Sequence, residues 1–68
     1  MPRHPLLRYF AYAHLPEGLQ FVSKPFRELA ATLDVRLPDG AEKTVALRKL
    51  LESKDAAVRA ALDIEQEN

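Results

Sequence analysis

The spacing of apolar residues between Leu19 and Leu33 is the feature that most constrains the fold of this chain. Large apolar side chains recur there at intervals of three, four, three and four residues: Leu19, Val22, Phe26, Leu29 and Leu33. Such spacing places them along one face of an α-helix, whereas a half-buried strand would alternate apolar and polar residues. The pattern predicts a helix over residues 16–36.

Pro25 lies inside this predicted helix and permits two interpretations. A proline within a helix removes one backbone hydrogen bond, and its ring presses on the preceding turn, which would kink the helix between residues 21 and 25. Alternatively, Ser23 caps a new helix with Pro25 in its first turn. We favour the kink, because the apolar phase continues through the proline.

A second long helix is predicted over residues 40–65. Pro38 ends the preceding helix, and Asp39 followed by Glu42 three residues later resembles a capping box that uses aspartate. The apolar residues that follow recur at helical spacing: Ala46, Leu47, Leu50, Leu51, Ala57, Val58, Ala61 and Leu62. Because the intervening turn is short, we expect the two long helices to be antiparallel.

Prolines also mark the start of the chain's earlier elements. Pro5 suits the first turn of a short helix over residues 5–13, and Pro16 suits the first turn of the next helix. The predicted fold is therefore all-α: residues 1–68 form one domain, with a short N-terminal helix followed by an antiparallel two-helix hairpin.

The size of the chain makes self-association the expected source of further stability. A core built from 68 residues supplies only a few kcal/mol, there is no cysteine, and His4 and His14 lack the partners that a structural metal needs. The apolar stripe of the hairpin is wider than one partner helix covers, so a second hairpin is its expected neighbour. Lys54 lies within that stripe and must either reach water or meet an acid of another chain.

Composition and charge argue against several classes of protein. No apolar run approaches the length of a membrane span, and we expect an intracellular protein. The chain is basic in front and acidic at its end, which argues against a DNA-coating protein. No histidine follows His14, and the only glycines are Gly18 and Gly40, so neither a catalytic triad nor a phosphate-binding glycine loop is expected. We predict a non-catalytic protein without a cofactor.

Aromatic and basic residues are concentrated in the front part of the chain. Its candidate ligand contacts are Arg8, Tyr9, Phe10, Tyr12, Lys24 and Arg27. Aromatic faces can stack on a nucleobase, and basic side chains can bind phosphate oxygens. Alternatively, Phe10 and one tyrosine close the end of the hairpin core while the basic groups are only solvated. His14 either contacts the ligand or stabilises the turn before Pro16.

Three segments together resemble the small phage proteins that sequester cyclic nucleotides and so counter CBASS immunity. They are "YFAYAHLP", "PFRELA" and "LPDGAEKTVALRKLLESKDAAVRAAL", and they span nearly the whole chain. A similar hairpin domain occurs in phage proteins that counter Thoeris signalling. The resemblance implies a homohexamer of helical hairpins that binds cyclic dinucleotides between protomers, in the cytoplasm of the infected bacterium.

The resemblance also implies roles for individual residues. Tyr12 would stack on a base and Arg27 would bind phosphate, with Lys24 one helical turn earlier as the alternative. Some members bind cyclic trinucleotides at a separate site that uses a threonine and an arginine. Thr44 matches that threonine, but Ala41 stands nearest to the expected arginine, and the second site then requires Lys43 as a substitute.

Two other functions are weighed against this one. A helical adaptor would dock another protein through the wide apolar stripe. A small transcriptional regulator would use "VALRKLLESK" as a recognition helix, but the acidic residues on that segment would be repelled by DNA phosphates. We therefore rank the transcriptional regulator last.

Overall fold

The fold consists of three helical segments. A computed structural model describes residues 3–67, and their side chains as far as residue 63. The described part contains a 3-10 segment, η1, at Pro5–Phe10, helix α1 at Glu17–Arg36 and helix α2 at Ala41–Glu67, and no strand. The prediction of an all-α fold with two packed long helices is confirmed. The molecule is elongated, measuring 43 × 19 × 15 Å.

Segment η1 is shorter and more tightly wound than the helix expected over residues 5–13. Pro5 lies in its first turn, and His4 caps it: the Leu6 amide donates to His4 Nδ1 at 3.1 Å, and the Leu7 amide donates to the His4 carbonyl at 3.0 Å. Side chains three residues apart align in a 3-10 helix. Leu7 and Phe10 consequently point to the same side, and both are buried.

Helix α1 continues without interruption through Pro25. The alternative in which Ser23 caps a new helix is therefore wrong. Pro16 is the N-cap of α1, one residue before the position expected for it, and its carbonyl accepts from the amides of Leu19 and Gln20 at 2.9 and 3.0 Å. Glu17 lies in the first turn, where the positive end of the helix dipole favours a negative charge.

The buried face of α1 is rotated relative to the predicted apolar row. Its buried residues are Leu19, Ser23 and Ala30, whereas Leu29 retains 47% of its exposure. Ala30 belongs to the same buried cluster as Phe10, one residue of η1. A small side chain on α1 leaves room for such a bulky neighbour, which is why alanine rather than Leu29 faces inward.

The core lies where η1 packs against both long helices. Its buried members are Leu7 and Phe10 from η1, Ala30 from α1 and Leu47 from α2. Half-buried apolar side chains surround it: Leu6, Phe26, Leu33, Leu50 and Leu51. The N-terminal segment therefore completes the core of the hairpin.

A buried ion pair fastens the connection between α1 and α2. Lys43 Nζ lies 2.9 Å from Asp34 Oδ1 and 3.1 Å from Asp39 Oδ1, and it also donates to the Asp34 carbonyl at 2.8 Å. The expected capping box is thus replaced by a side-chain pair between Asp39 and Lys43. Gly40 has a φ of 153°, a conformation that favours glycine, and α2 begins directly after it.

Lys54 does not extend to water but pairs with an acid of its own chain. Its ammonium lies 2.9 Å from Oδ1 of the adjacent Asp55, and its side chain is only 13% exposed. A neighbouring acid of the same chain therefore neutralises this lysine in the apolar stripe.

Neither long helix contains, within the described residues, an apolar stretch long enough to cross a lipid bilayer.

Candidate functional site

The candidate residues surround η1 and the turn that leads into α1. The Leu15 amide donates to the Tyr12 carbonyl at 3.0 Å, which closes the turn. Gln20 reaches back from α1, and its Nε2 donates to the carbonyls of Leu15 at 2.7 Å and Ala13 at 3.4 Å. Gln20 therefore holds the turn before Pro16. Its side-chain role has no signature in the local sequence and was not predicted.

Tyr12 and Lys24 line the same open concavity, which measures about 380 Å³. Glu17, Gln20 and Phe21 complete its wall. Tyr12 is half-buried, whereas Phe21 retains 79% of its exposure. The site thus offers two aromatic rings and an ammonium group, with one carboxylate beside them. A flat base and an attached phosphate are the kind of ligand for which these groups are suited.

Arg27 lines a different concavity, of about 340 Å³, between η1 and α1. Its lining residues are Arg3, His4, Pro5, Leu7, Arg8, Ala11 and Arg27. Two predicted contacts, Arg8 and Arg27, therefore come together within one chain. Tyr12 is not among the lining residues, so a ligand that used both Tyr12 and Arg27 would have to reach across two concavities or two chains.

Tyr9 and His14 lie on a third concavity, which also contacts the middle of α2. It measures about 290 Å³ and includes Arg8, Lys54, Asp55 and Val58 in its wall. The Arg8 guanidinium lies 4.9 Å from the centre of the Tyr9 ring, and its Nη2 donates to the Tyr9 hydroxyl at 2.8 Å. One face of the Tyr9 ring is therefore covered by the Arg8 side chain.

Phe10 is corrected from a ligand contact to a core residue. Its side chain has no exposed surface and packs with Leu7, Ala30 and Leu47. An aromatic ring enclosed on all sides has no free face on which a base could stack. Phe10 closes the end of the hairpin core, which was the alternative interpretation of this residue in the sequence.

Thr44 is tied to the N-terminal segment. His4 Nε2 lies 3.0 Å from Thr44 Oγ1, and the threonine hydroxyl is 3.3 Å from the Gly40 carbonyl. His4 Nδ1 accepts the Leu6 amide, so its Nε2 carries the proton in the neutral ring and donates to Thr44. The histidine thereby joins η1 to α2, a role that its isolated position in the sequence did not reveal.

Lys43 is engaged within its own chain. Its hydrogen bond with Asp34 raises the pKa of the Lys43 ammonium above 10.5, and the same bond lowers the pKa of the Asp34 carboxyl below 3.8. The amide of His4 also donates to Asp34 Oδ2 at 3.4 Å. To replace the missing arginine of a trinucleotide site, Lys43 would have to leave both carboxylates.

In comparisons with known proteins, no family model, no curated protein and no solved structure matches the chain. In the part of the chain that the structure describes, no group of three or more acidic or histidine side chains is arranged to hold a metal ion.

Proposed function

We propose that the chain sequesters cyclic oligonucleotide second messengers without changing them chemically, as a phage defence against CBASS-type signalling. The observation that carries the proposal is the pairing of Tyr12 and Lys24 in one open concavity, beside the exposed ring of Phe21. The resemblance of nearly the whole chain to cyclic-nucleotide sponges supports it. Such a protein acts in the cytoplasm of an infected bacterium by lowering the free concentration of the messenger.

The arrangement favours Lys24 as the phosphate contact of the protomer that supplies Tyr12. Arg27 would then serve the same ligand from its own concavity or from a neighbouring protomer. Hexamer formation places residues of several chains at one site, and a ligand that bridges two chains stabilises their contact by mass action. Ligand capture and assembly are therefore coupled in this proposal.

Calorimetric titration with a panel of cyclic dinucleotides and trinucleotides tests the function. The expected result is saturable heat from at least one member of the panel, with no consumption of the ligand by chromatography afterwards. Absence of heat and of any thermal shift across the whole panel would refute the proposal. Turnover of the ligand would refute its non-catalytic part.

Substitutions at the concavity test the site. Tyr12→Ala should weaken binding by about 1–3 kcal/mol through lost stacking, and Lys24→Ala by about 1.5–3 kcal/mol through a lost charged hydrogen bond. Lys49→Ala is the matched control, because Lys49 is an exposed lysine on α2 with its side chain 71% exposed. Unchanged affinity in both site variants would move the site elsewhere.

A second function, an adaptor for another protein, is favoured by exposed apolar side chains on α1. Phe21 and Val35 retain 79% and 84% of their exposure, and Leu29 retains 47%. Light scattering of the purified chain separates the two proposals. A hexamer without a partner supports sequestration, whereas a monomer that associates only with another protein supports the adaptor.

A further inference from the structure

Three arginine side chains line the concavity between η1 and α1. Arg3 and Arg8 come from the N-terminal segment, and Arg27 comes from α1. The remaining lining residues are His4, Pro5, Leu7 and Ala11, so no carboxylate contributes to the wall. Guanidinium groups remain charged at any pH a protein tolerates. Three cationic side chains therefore border this concavity of about 340 Å³, and Arg8 also borders the third concavity, where its guanidinium lies over the Tyr9 ring.

These charges have no counter-ion within the described chain. The ion pairs among the described side chains use Lys43, Lys49 and Lys54 as their cations, and none involves an arginine. The polar contact of Arg8 is the neutral hydroxyl of Tyr9. Like charges gathered on one wall repel one another, and a bound anion relieves that repulsion.

The two acids that share a concavity with Arg3 are held by Lys43. Asp34 and Asp39 line an adjoining concavity that Arg3 also borders, but both carboxylates lie within 3.1 Å of Lys43 Nζ. The Lys43 ammonium offsets one of these two negative charges, and neither carboxylate forms an ion pair with Arg3. The three arginines are therefore without an ion-pair partner among the described side chains.

The fold fixes the backbone that carries two of these arginines. His4 bonds to the Leu6 amide, to Thr44 and, through its own amide, to Asp34. These contacts hold His4, which lies between Arg3 and Pro5, against both long helices. A cluster of cations positioned before the ligand arrives loses less entropy on binding than cations on a free segment.

We propose that Arg3, Arg8 and Arg27 form, within a single chain, a site for a phosphate-bearing anion. A phosphodiester, the linkage in a cyclic nucleotide, carries about −1 at pH 7 and a phosphate monoester about −1.5 to −2, so an anion with two phosphate groups matches three arginines better than a single diester does. The planar guanidinium fork binds phosphate oxygens in pairs. The inference deepens the proposed function, because Arg27 belongs to both sites. That the natural ligand is a cyclic nucleotide rests on the proposed function. Binding of an inorganic phosphate probe does not depend on the proposed function.

The full chain is titrated with inorganic phosphate and with diphosphate at constant ionic strength. NMR of the arginine Nε–H and backbone amide resonances monitors each titration. Diphosphate should bind more tightly than phosphate and shift resonances of all three arginines. Arg3→Gln and Arg8→Gln should each raise the dissociation constant for diphosphate about 10-fold, the scale of a lost charged hydrogen bond. Arg36→Gln, an exposed arginine in the last turn of α1, is the control and should leave it unchanged.

Three outcomes would overturn the inference: no specific shift with diphosphate, equal shifts with sulfate at the same ionic strength, or loss of binding only in Arg27→Gln. A parallel titration with the same panel of cyclic dinucleotides and trinucleotides separates the two proposals. Diphosphate binding without binding of any member of the panel refutes the proposed function and retains the three-arginine site. The opposite result is dinucleotide binding that Arg3→Gln and Arg8→Gln leave intact, with no diphosphate binding. It refutes the three-arginine site and retains the proposed function.

Discussion

Replacing Ser23 by alanine should stabilise the protein, although Ser23 is one of its most buried residues. Its side chain has no exposed surface, and its Oγ has no hydrogen-bond partner. Helical hydroxyls commonly donate to the carbonyl four residues earlier. Thr32 does so to the Glu28 carbonyl at 3.1 Å, but the Ser23 hydroxyl forms no such bond. It therefore loses its bonds to water on folding and gains nothing in exchange.

The expected gain follows from two contributions. Leaving a buried hydroxyl unpaired costs about 1–3 kcal/mol, and alanine is a better helix former than serine by up to about 0.7 kcal/mol. Ser53→Ala is the matched control, because Ser53 is an exposed serine on α2 and changes helix propensity alone. The difference between the two variants isolates the buried hydroxyl and should be about 1–2 kcal/mol, after allowance for the small void that alanine leaves.

Thermal and urea unfolding at one fixed protein concentration measure this difference. A gain of 1 kcal/mol raises Tm by about 4–8 °C in a domain of this size, so Ser23→Ala should melt well above Ser53→Ala. Fixed concentration matters because assembly would make Tm depend on it. Equal or lower stability of Ser23→Ala would refute the reasoning, since it would mean that the hydroxyl has a partner in solution, such as a group of another chain.

Three further substitutions follow from the same structure. Because the Asp34 pKa lies below 3.8, its ion pair with Lys43 stabilises the fold above that pH, and this contribution is lost as pH falls through the folded pKa. Asp34→Asn should therefore weaken the loss of stability at acid pH, measured by urea unfolding from pH 2 to about pH 7. Asp63→Asn is the control and should leave that loss unchanged. Phe10→Ala should lower the free energy of unfolding by about 3–5 kcal/mol and leave much of the chain unfolded, as measured by circular dichroism. Phe21→Ala, at an exposed site, should lower it by under about 0.5 kcal/mol. Similar losses of stability in the two variants would contradict the assignment of Phe10 to the core. Pro25→Ala should restore one backbone hydrogen bond and raise stability in thermal unfolding by about 1–3 kcal/mol; a loss would mean that packing requires the proline.

The helices were predictable because their signals are local. The apolar period and the prolines predict α1 to within one residue at its start, and the turn containing Gly40 separates it from α2. The rotation of the buried face was not predictable, because it depends on what packs against α1. Phe10 and Leu47 select Ala30 rather than Leu29 as their neighbour, and that choice arises only when η1 is in place.

The candidate site was predictable in composition but not in arrangement. The sequence indicates aromatic and basic groups near the N-terminus, and Arg8 with Arg27 do come together. It does not indicate that Tyr12 lies beside Lys24, because that depends on the turn held by Gln20. Nor does it distinguish Phe10, which is enclosed, from Phe21, which is open to solvent.

The position of Lys43 makes this residue a chemical reporter of the joint between the two helices. Its side chain is only 5% exposed and its ammonium is held by two carboxylates, whereas the Lys49 side chain is 71% exposed. An acylating reagent reacts with the neutral, accessible amine, so Lys49 should be labelled within the first minutes and Lys43 only when α1 and α2 separate. Mass spectrometry of the Lys43 peptide over time would therefore follow the opening of the hairpin without any substitution in the chain.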